Sequence, residues 1–225
     1  MKSYGEFCAL ARALDVIGDR WTMLIVRELL IGPSRYSDLT RALPGIATNL
    51  LAQRLRTLEE TGVVASSEEP APVSARVYFL TEWGLGLQRS LVELARWGAP
   101  LMAAGAGDDH NRGRWLVFAI MALYPEAAAL PTQARFPTLT ARIDADGDSL
   151  LLVSGSTGVR ASVTNSDESA EVTIAGTSEQ VFALLSGGCA DTPARITGSA
   201  DALRRLSELT STALTAGRDS ADLPA

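Results

Sequence analysis

Residues 35–62 read RYSDLTRALPGIATNLLAQRLRTLEETG, a stretch that few folds accept. Tyr36, Leu39 and Leu43 recur at helical spacing, and Pro44-Gly45 then stops the helix, because proline cannot continue it and glycine turns freely. A second helix is expected over 47–61, with Gly62 as its C-terminal stop. At roughly 100° per residue, Leu51, Leu55 and Leu58 share one face of that helix. Asn49, Gln53 and Arg56 gather on the opposite face, with Thr48 to the side. The helix therefore has an apolar back that docks. Its front carries a hydroxyl, amides and a guanidinium, the groups that hydrogen-bond base edges in a major groove. The same pattern also describes an ordinary amphipathic surface helix, so the flanking segments decide.

Downstream, 63–67 reads as a strand, 68–74 as a turn with two prolines, and 75–80 as a returning strand. A hairpin directly after a helix-turn-helix is the wing of a winged-helix domain. Arg76 is the one base placed there to track a DNA backbone or minor groove, unless it is simply a solvated strand residue. Upstream, a short helix is expected over 7–14, with Cys8, Leu10, Ala11 and Leu14 inward. Asp19 is placed to cap a helix over 20–30 whose buried stripe is Trp21, Leu24, Ile25 and Leu29. Ser34 is placed to cap the helix after it. Thr81 caps a long helix over 82–102, where Leu87, Leu91, Leu94, Ala95, Trp97 and Leu101 make an apolar face wider than a small three-helix core needs. The surplus suits a partner subunit, together with the first helix.

Charge sharpens the division of the chain. Residues 1–102 carry 11 Lys+Arg against 11 Asp+Glu, and residues 103–225 carry 9 against 15. The net charge of −6 thus lies wholly in the second half. A neutral first half still binds DNA if its arginines share one face. No apolar run of about 18 residues predicts a membrane span. The opening MKSYGEFCALARALD lacks the apolar core of a secretory signal. Cys8 and Cys189, far apart, make no disulfide framework, and a cytoplasmic location is expected.

Many unlike motifs occur in one order along this half. They are Asp15-Val16-Ile17-Gly18-Asp19-Arg20-Trp21, Ile25-Val26-Arg27-Glu28-Leu29, Gly32-Pro33 before Arg35-Tyr36 and Asp38-Leu39, and Leu43-Pro44-Gly45-Ile46. There follow Leu51 with Arg54-Leu55-Arg56 and Leu58-Glu59, Gly62-Val63-Val64, Tyr78 with Leu80-Thr81 and Gly84, and Trp97-Gly98. Over residues 5–102 the chain resembles the HxlR-type winged-helix transcription regulators. The resemblance implies a homodimer, formed through the first helix and the helix at 82–102, on a palindromic double-stranded DNA operator with the helix at 47–61 in the major groove. Carried over by position, Arg35 and Arg54 contact phosphate or support the reading helix, while Thr48, Asn49 and Gln53 face base edges. Arg54 lies beside the apolar face and has an alternative, pairing with an acid such as Asp38. Leu50 is placed to touch a thymine methyl. Some such regulators sense oxidants or aldehydes through a cysteine equivalent to Cys8. Here Cys8 falls on the apolar stripe of its helix, where a thiol is usually inert packing.

Residues 104–113 are small and polar, as a linker is, and the single histidine, His110, sits exposed in it. One histidine makes neither a metal site nor a catalytic triad, and no phosphate loop is present. No enzyme activity, cofactor or metal is expected. From 114 a second domain begins with an apolar helix over 115–123, followed by strands over 138–144, 149–154, 159–165 and 170–175, all expected antiparallel. Thr177 with Gln180 forms a capping box for a helix to 185. A strand over 194–197 and a helix over 200–213, with Leu203, Leu206 and Leu209 inward, close the domain at 217, and 218–225 forms a tail. The expected fold class is α+β, a winged helix-turn-helix domain (1–103) followed by an α+β layer domain (114–217).

The run Val172, Ile174, Gly176, Val181-Phe182, Leu184-Leu185, Gly187, Ala194-Arg195-Ile196, Gly198 and Leu203 resembles the end of a sterol-carrier-protein-type domain. That resemblance implies a tunnel for a hydrophobic small molecule, and Trp115, Phe118, Met121, Phe136, Leu151, Val163 and Phe182 are its candidate lining, or plain core. Arg160 or Arg195 is available to a ligand carboxylate, though both suit solvated strand positions equally. A hydrophobic effector in this domain is expected to govern DNA binding. The alternatives are a redox regulator acting through Cys8 and a lipid carrier.

Overall fold

The computed structural model describes residues 3–68, 75–102, 107, 109–124, 136–166, 169–187 and 192–218. The chain divides into two compact units, Met1–Leu91 and Val92–Ala225. Residues 69–74 of the expected turn at 68–74, residues 104–106 and 108 of the expected linker, the tail from 219 onward and Cys189 lie outside the described residues.

In the first unit, α1 (Ala9–Ile17) ends at Gly18 and α2 (Thr22–Ile31) follows. The Asp19 carboxylate accepts from the backbone N–H groups of Trp21 at 2.9 Å and Thr22 at 3.2 Å, satisfying donors that a helix start leaves open. α2 buries Thr22, Ile25, Val26 and Leu29, whereas Leu24, expected inward, is more than a third exposed. Only Ala11 of α1 is buried. Cys8, Leu10 and Leu14 are exposed, against expectation, because the unit offers α1 no surface to cover them. α3 (Tyr36–Ala42) and α4 (Thr48–Glu60) enclose a turn in which Gly45 takes φ +90°, a conformation glycine alone adopts freely. Ser34 does not cap α3. It forms with Arg35 a two-residue strand, β1 (Ser34–Arg35), on a sheet with β2 (Val64–Glu68) and β3 (Arg76–Leu80) in the order β1-β3-β2. The register sets Ser34 opposite Tyr78 and Val64 opposite Leu80. Ile25, Leu39, Leu43, Leu51, Leu55 and Leu58 fill the core, each fully buried. Burial of a leucine contributes about 1.5–3 kcal/mol.

The helix expected over 82–102 is interrupted. α5 (Glu82–Leu85) is capped by Thr81, whose hydroxyl accepts from the Gly84 N–H at 3.0 Å, and α6 (Gln88–Gly98) starts afresh before a 3-10 turn, Ala99–Met102. Two glycines in three positions weaken helix continuity there. Gly84 is fixed by packing: a Cβ on it would stand 2.1 Å from the Val63 carbonyl oxygen.

The second unit carries α7 (Leu116–Leu123) after a 3-10 turn at Gly113–Trp115, then β4 (Leu139–Ala145), β5 (Asp148–Gly155), β6 (Gly158–Val163), β7 (Val172–Gly176), α8 (Ser178–Leu185), β8 (Arg195–Gly198) and α9 (Ala200–Arg218). The strands form one sheet ordered β6-β5-β4-β7-β8. β4 and β7 run parallel, with Ala141 opposite Val172, so the all-antiparallel expectation is corrected. Asp146 and Gly147, at φ 48° and 84°, make the two-residue turn between β4 and β5, as their residue types favour. The Thr177–Gln180 capping box forms as expected. Gly113 belongs to the fold and not to a linker, since a Cβ on it would lie 1.9 Å from the Ala145 carbonyl oxygen. Alternation puts Leu139, Ala141, Ile143, Leu150, Leu152, Val172 and Ile174 on the buried face of the sheet. α8 and α9 pack against β4. On α9, Ala202, Leu206 and Leu209 face inward, while Leu203 is more than a third exposed.

Candidate nucleic-acid interface

α4 is held by the three leucines of its back, none more than 1% exposed. Its other side is open: Thr48, Asn49, Gln53 and Arg56 are all exposed. Tyr36 donates its hydroxyl to the Thr48 carbonyl at 2.6 Å, tying α3 to the start of α4. The Asn49 side-chain oxygen accepts from the Leu50 N–H at 2.8 Å, leaving its amide N–H₂ to face outward. Leu50 itself is half-buried. Arg56 reaches back to the Ala52 carbonyl at 3.4 Å. Arg35 is exposed just before α3, its backbone N–H donating to Asp38 at 3.4 Å. Arg35, Thr48, Asn49, Gln53 and Arg56 thus stand in solvent, presenting donors and acceptors.

Two further candidates are engaged. Arg54 lies 3.2 Å from the Asp19 carboxylate, with both side chains about three-quarters buried. Asp38, the alternative partner, is paired with Arg41 at 3.1 Å. Arg54 therefore links α4 to the capped start of α2, an arrangement in which it supports the position of α4. A groove of about 390 Å³ beside this pair is lined by Tyr4, Leu14, Asp15, Val16, Gly18, Asp19, Gln53, Arg54 and Thr57. Arg76, on β3, donates from Nη2 to Glu59 at 2.7 Å and from Nε to Ser66 at 2.8 Å, and its guanidinium lies 5.4 Å from the Tyr78 ring centre. Glu59 holds the Arg76 guanidinium above its usual range, and burial pushes the Tyr78 phenol up. Half of the Arg76 side chain stays exposed. Its partners Glu59 and Ser66 escape a reading of the sequence, because they meet it only through strand register and the last turn of α4.

Cys8 sits at the N-terminal end of α1, exposed. The backbone amides of Ala11 and Leu10 draw its thiol below the ordinary range. The exposure corrects the expectation of a buried cysteine. N–H groups at a helix start favour an anion.

In the second unit the hydrophobic candidates divide. Phe136 is buried edge-on against Tyr124, ring centres 6.0 Å apart. Trp115, Phe118, Met121 and Phe182 are half-buried, and Val163 is more than a third exposed at the sheet edge. Leu151 faces away from this group: it pairs with Arg142 and Ser162, on the sheet face opposite Leu150 and Leu152. A single lining built from all seven is thereby corrected. Arg160, Arg195 and His110 are exposed. Among the described residues no cluster of His, Cys, Asp and Glu is arranged to hold a metal, and no helix is long and apolar enough to cross a membrane.

Comparison with known proteins bears on the N-terminal part of the chain, up to residue 105. The model of the HxlR-like helix-turn-helix family matches residues 16–105. The HTH-type transcriptional regulator YodB of Bacillus subtilis (strain 168) is 35% identical over 85 residues, covering 38% of this chain and 76% of that protein. YvaP of the same organism, named an uncharacterized HTH-type transcriptional regulator, is 37% identical over 93 residues, 41% of this chain and 86% of its own length. The solved reduced form of YodB is 32% identical, covers 44% of this chain and 99% of its own, and aligns with a TM-score of 0.39. The helix-turn-helix with its hairpin, and relatives matched over most of their length, lead to one assignment: the chain belongs to the HxlR-like helix-turn-helix family.

Proposed function

We propose that the protein is a sequence-specific DNA-binding transcription regulator that acts as a homodimer on a palindromic operator. The observation that carries this reading is the exposed front of α4, where Thr48, Asn49, Gln53 and Arg56 stand opposite a fully buried leucine back. Amides and guanidinium read base edges, and Arg35 and Arg76 flank them as backbone contacts. Dimerisation is supported by large apolar residues left in solvent on the two expected elements. Phe7 and Leu10 are exposed at the first helix, and Trp97 and Leu101 at the helix beginning at 88 and the turn after it. The relatives are named as transcription regulators, which favours regulation over catalysis.

The second unit is the proposed sensor. Its apolar helix α7, with Phe136 and Phe182, offers a sterol-carrier-like site for a hydrophobic effector, and such a molecule changes operator binding only if it favours one arrangement of the two reading helices. The test is operator binding by the purified protein with a panel of hydrophobic small molecules and of oxidants. Release by a small molecule supports the sensor reading. Gln53→Ala and Asn49→Ala are expected to change sequence preference, and unchanged operator choice in both rejects the orientation of α4. The exposed, acidified thiol of Cys8 favours a second reading, release by oxidation. Persistence of that release in Cys8→Ser excludes it.

A further inference from the structure

We infer that Glu59 is the positioning residue that aims Arg76 at the DNA backbone, and that the link from reading helix to wing runs through this one carboxylate. The inference rests on the reading above in which α4 and the hairpin both meet DNA. Three side chains from three elements close a ring. Glu59 Oε1, in the last turn of α4, accepts from the Ser66 hydroxyl of β2 at 2.6 Å and from Arg76 Nη2 of β3 at 2.7 Å. Ser66 Oγ in turn accepts from Arg76 Nε at 2.8 Å. Strand register places Ser66 opposite Tyr78 and Glu68 opposite Arg76, so the arginine leans along its strand toward Ser66 instead of outward from Glu68. The Tyr78 ring lies along the guanidinium.

A guanidinium has five N–H donors. The ring uses two of them and fixes the plane of the group. Among the described residues the N–H donors of Nη1 and the second of Nη2 meet no hydrogen-bond partner and are available to a phosphate. An arginine already held in its binding geometry loses less freedom on binding than a free one. Glu59 is three-quarters buried and points into the ring, so it serves Arg76 and does not read DNA itself. Its charge alone repels phosphate, which makes the sign of its effect on DNA binding a discriminating measurement.

The test uses the full chain and a duplex selected by the wild-type protein from a random library, with affinity measured across a salt series. Arg76→Ala is expected to weaken binding on the order of tenfold and to lower the salt slope by about 1. Glu59→Ala is expected to weaken binding in the same direction, and Glu59→Ala with Arg76→Ala to be no weaker than Arg76→Ala alone. Glu59→Gln keeps an acceptor in the ring and is expected to restore binding; it also controls for loss of fold, as does a matching thermal melt. Tighter binding by Glu59→Ala in both backgrounds overturns the inference, because Glu59 is then only a repelling charge. Additive losses overturn it as well. An Arg76→Ala protein with unchanged affinity and salt slope rejects the underlying placement of Arg76 on DNA, and the inference with it.

Discussion

Replacing Asp19 by alanine separates two contributions that meet at one carboxylate. Asp19 accepts from the N–H groups of Trp21 and Thr22 and from the hydroxyl of Thr22, a residue only 1% exposed, and it faces Arg54 at 3.2 Å. Loss of a helix cap costs about 1 kcal/mol. A buried hydroxyl left without its acceptor costs roughly another 1 kcal/mol. The ion pair is a quarter open to water, so screening limits it to about 0.5 kcal/mol. The sum is about 2–3 kcal/mol, which for a domain of this size lowers the midpoint by about 10–15 °C. Arg54→Met keeps the apolar stem and removes only the pair, so it lowers the midpoint by only about 2–4 °C. The assay is thermal unfolding of the full chain followed by circular dichroism, with operator affinity across a salt series alongside. An Arg54→Met loss as large as that of Asp19→Ala refutes the division, since the pair then outweighs the cap. An Arg54→Met protein with unchanged stability but a salt slope reduced by about 1 refutes the supporting role itself, and returns Arg54 to the phosphate contact that the family pattern implies.

Cys8 is expected to react with iodoacetamide at neutral pH faster than a free cysteine, with a rate that rises to its plateau below the ordinary thiol range; a profile matching a model peptide counts against amides at the helix start as the cause. In the second unit Arg205 donates to Glu171, which holds that carboxyl below its usual range. A carboxyl lowered on folding adds stability above its unfolded value near 4.5, and that stability is lost as pH falls through the folded value. Arg205→Ala should therefore flatten the acid limb of a melting profile measured between neutral pH and pH 3. Gly113→Ala forces a methyl against the Ala145 carbonyl and is expected to destabilise the second unit by about 3 kcal/mol, seen as an earlier denaturant midpoint; an unchanged midpoint would show that the turn relaxes freely.

The winged helix was legible because Leu51, Leu55 and Leu58 repeat at the helical period while turn residues punctuate the chain around them. The strand boundaries of the second unit were legible for a related reason: Asp146-Gly147 and the Thr177–Gln180 pair carry their geometry in their chemistry. What escaped depends on distance in the chain. Arg54 meets Asp19 across 35 positions, and no periodicity in either helix encodes that meeting. Leu151 sits in a run of three leucines, where alternation gives no sign of which face is buried until the neighbouring strands are known. Cys8 follows the apolar stripe of its helix, but a stripe predicts burial only where the unit has something to cover it with. Here Leu10 beside it is also in solvent.

The place of β4 at the centre of the five-stranded sheet has a consequence for how the second unit is made. β4, β5 and β6 form a meander whose partners are near in the chain, so it can assemble soon after it leaves the ribosome. The strand that completes the centre, β7, pairs with β4 from 31 positions away, bringing α8 and β8 with it. Until it arrives, the inner edge of β4 presents unpaired backbone beside Leu139, Ala141 and Ile143, residues that are fully buried in the finished sheet. Such an edge recruits other chains. A product ending before residue 172 would therefore be more prone to aggregate than one ending before 114, although it contains more of the protein.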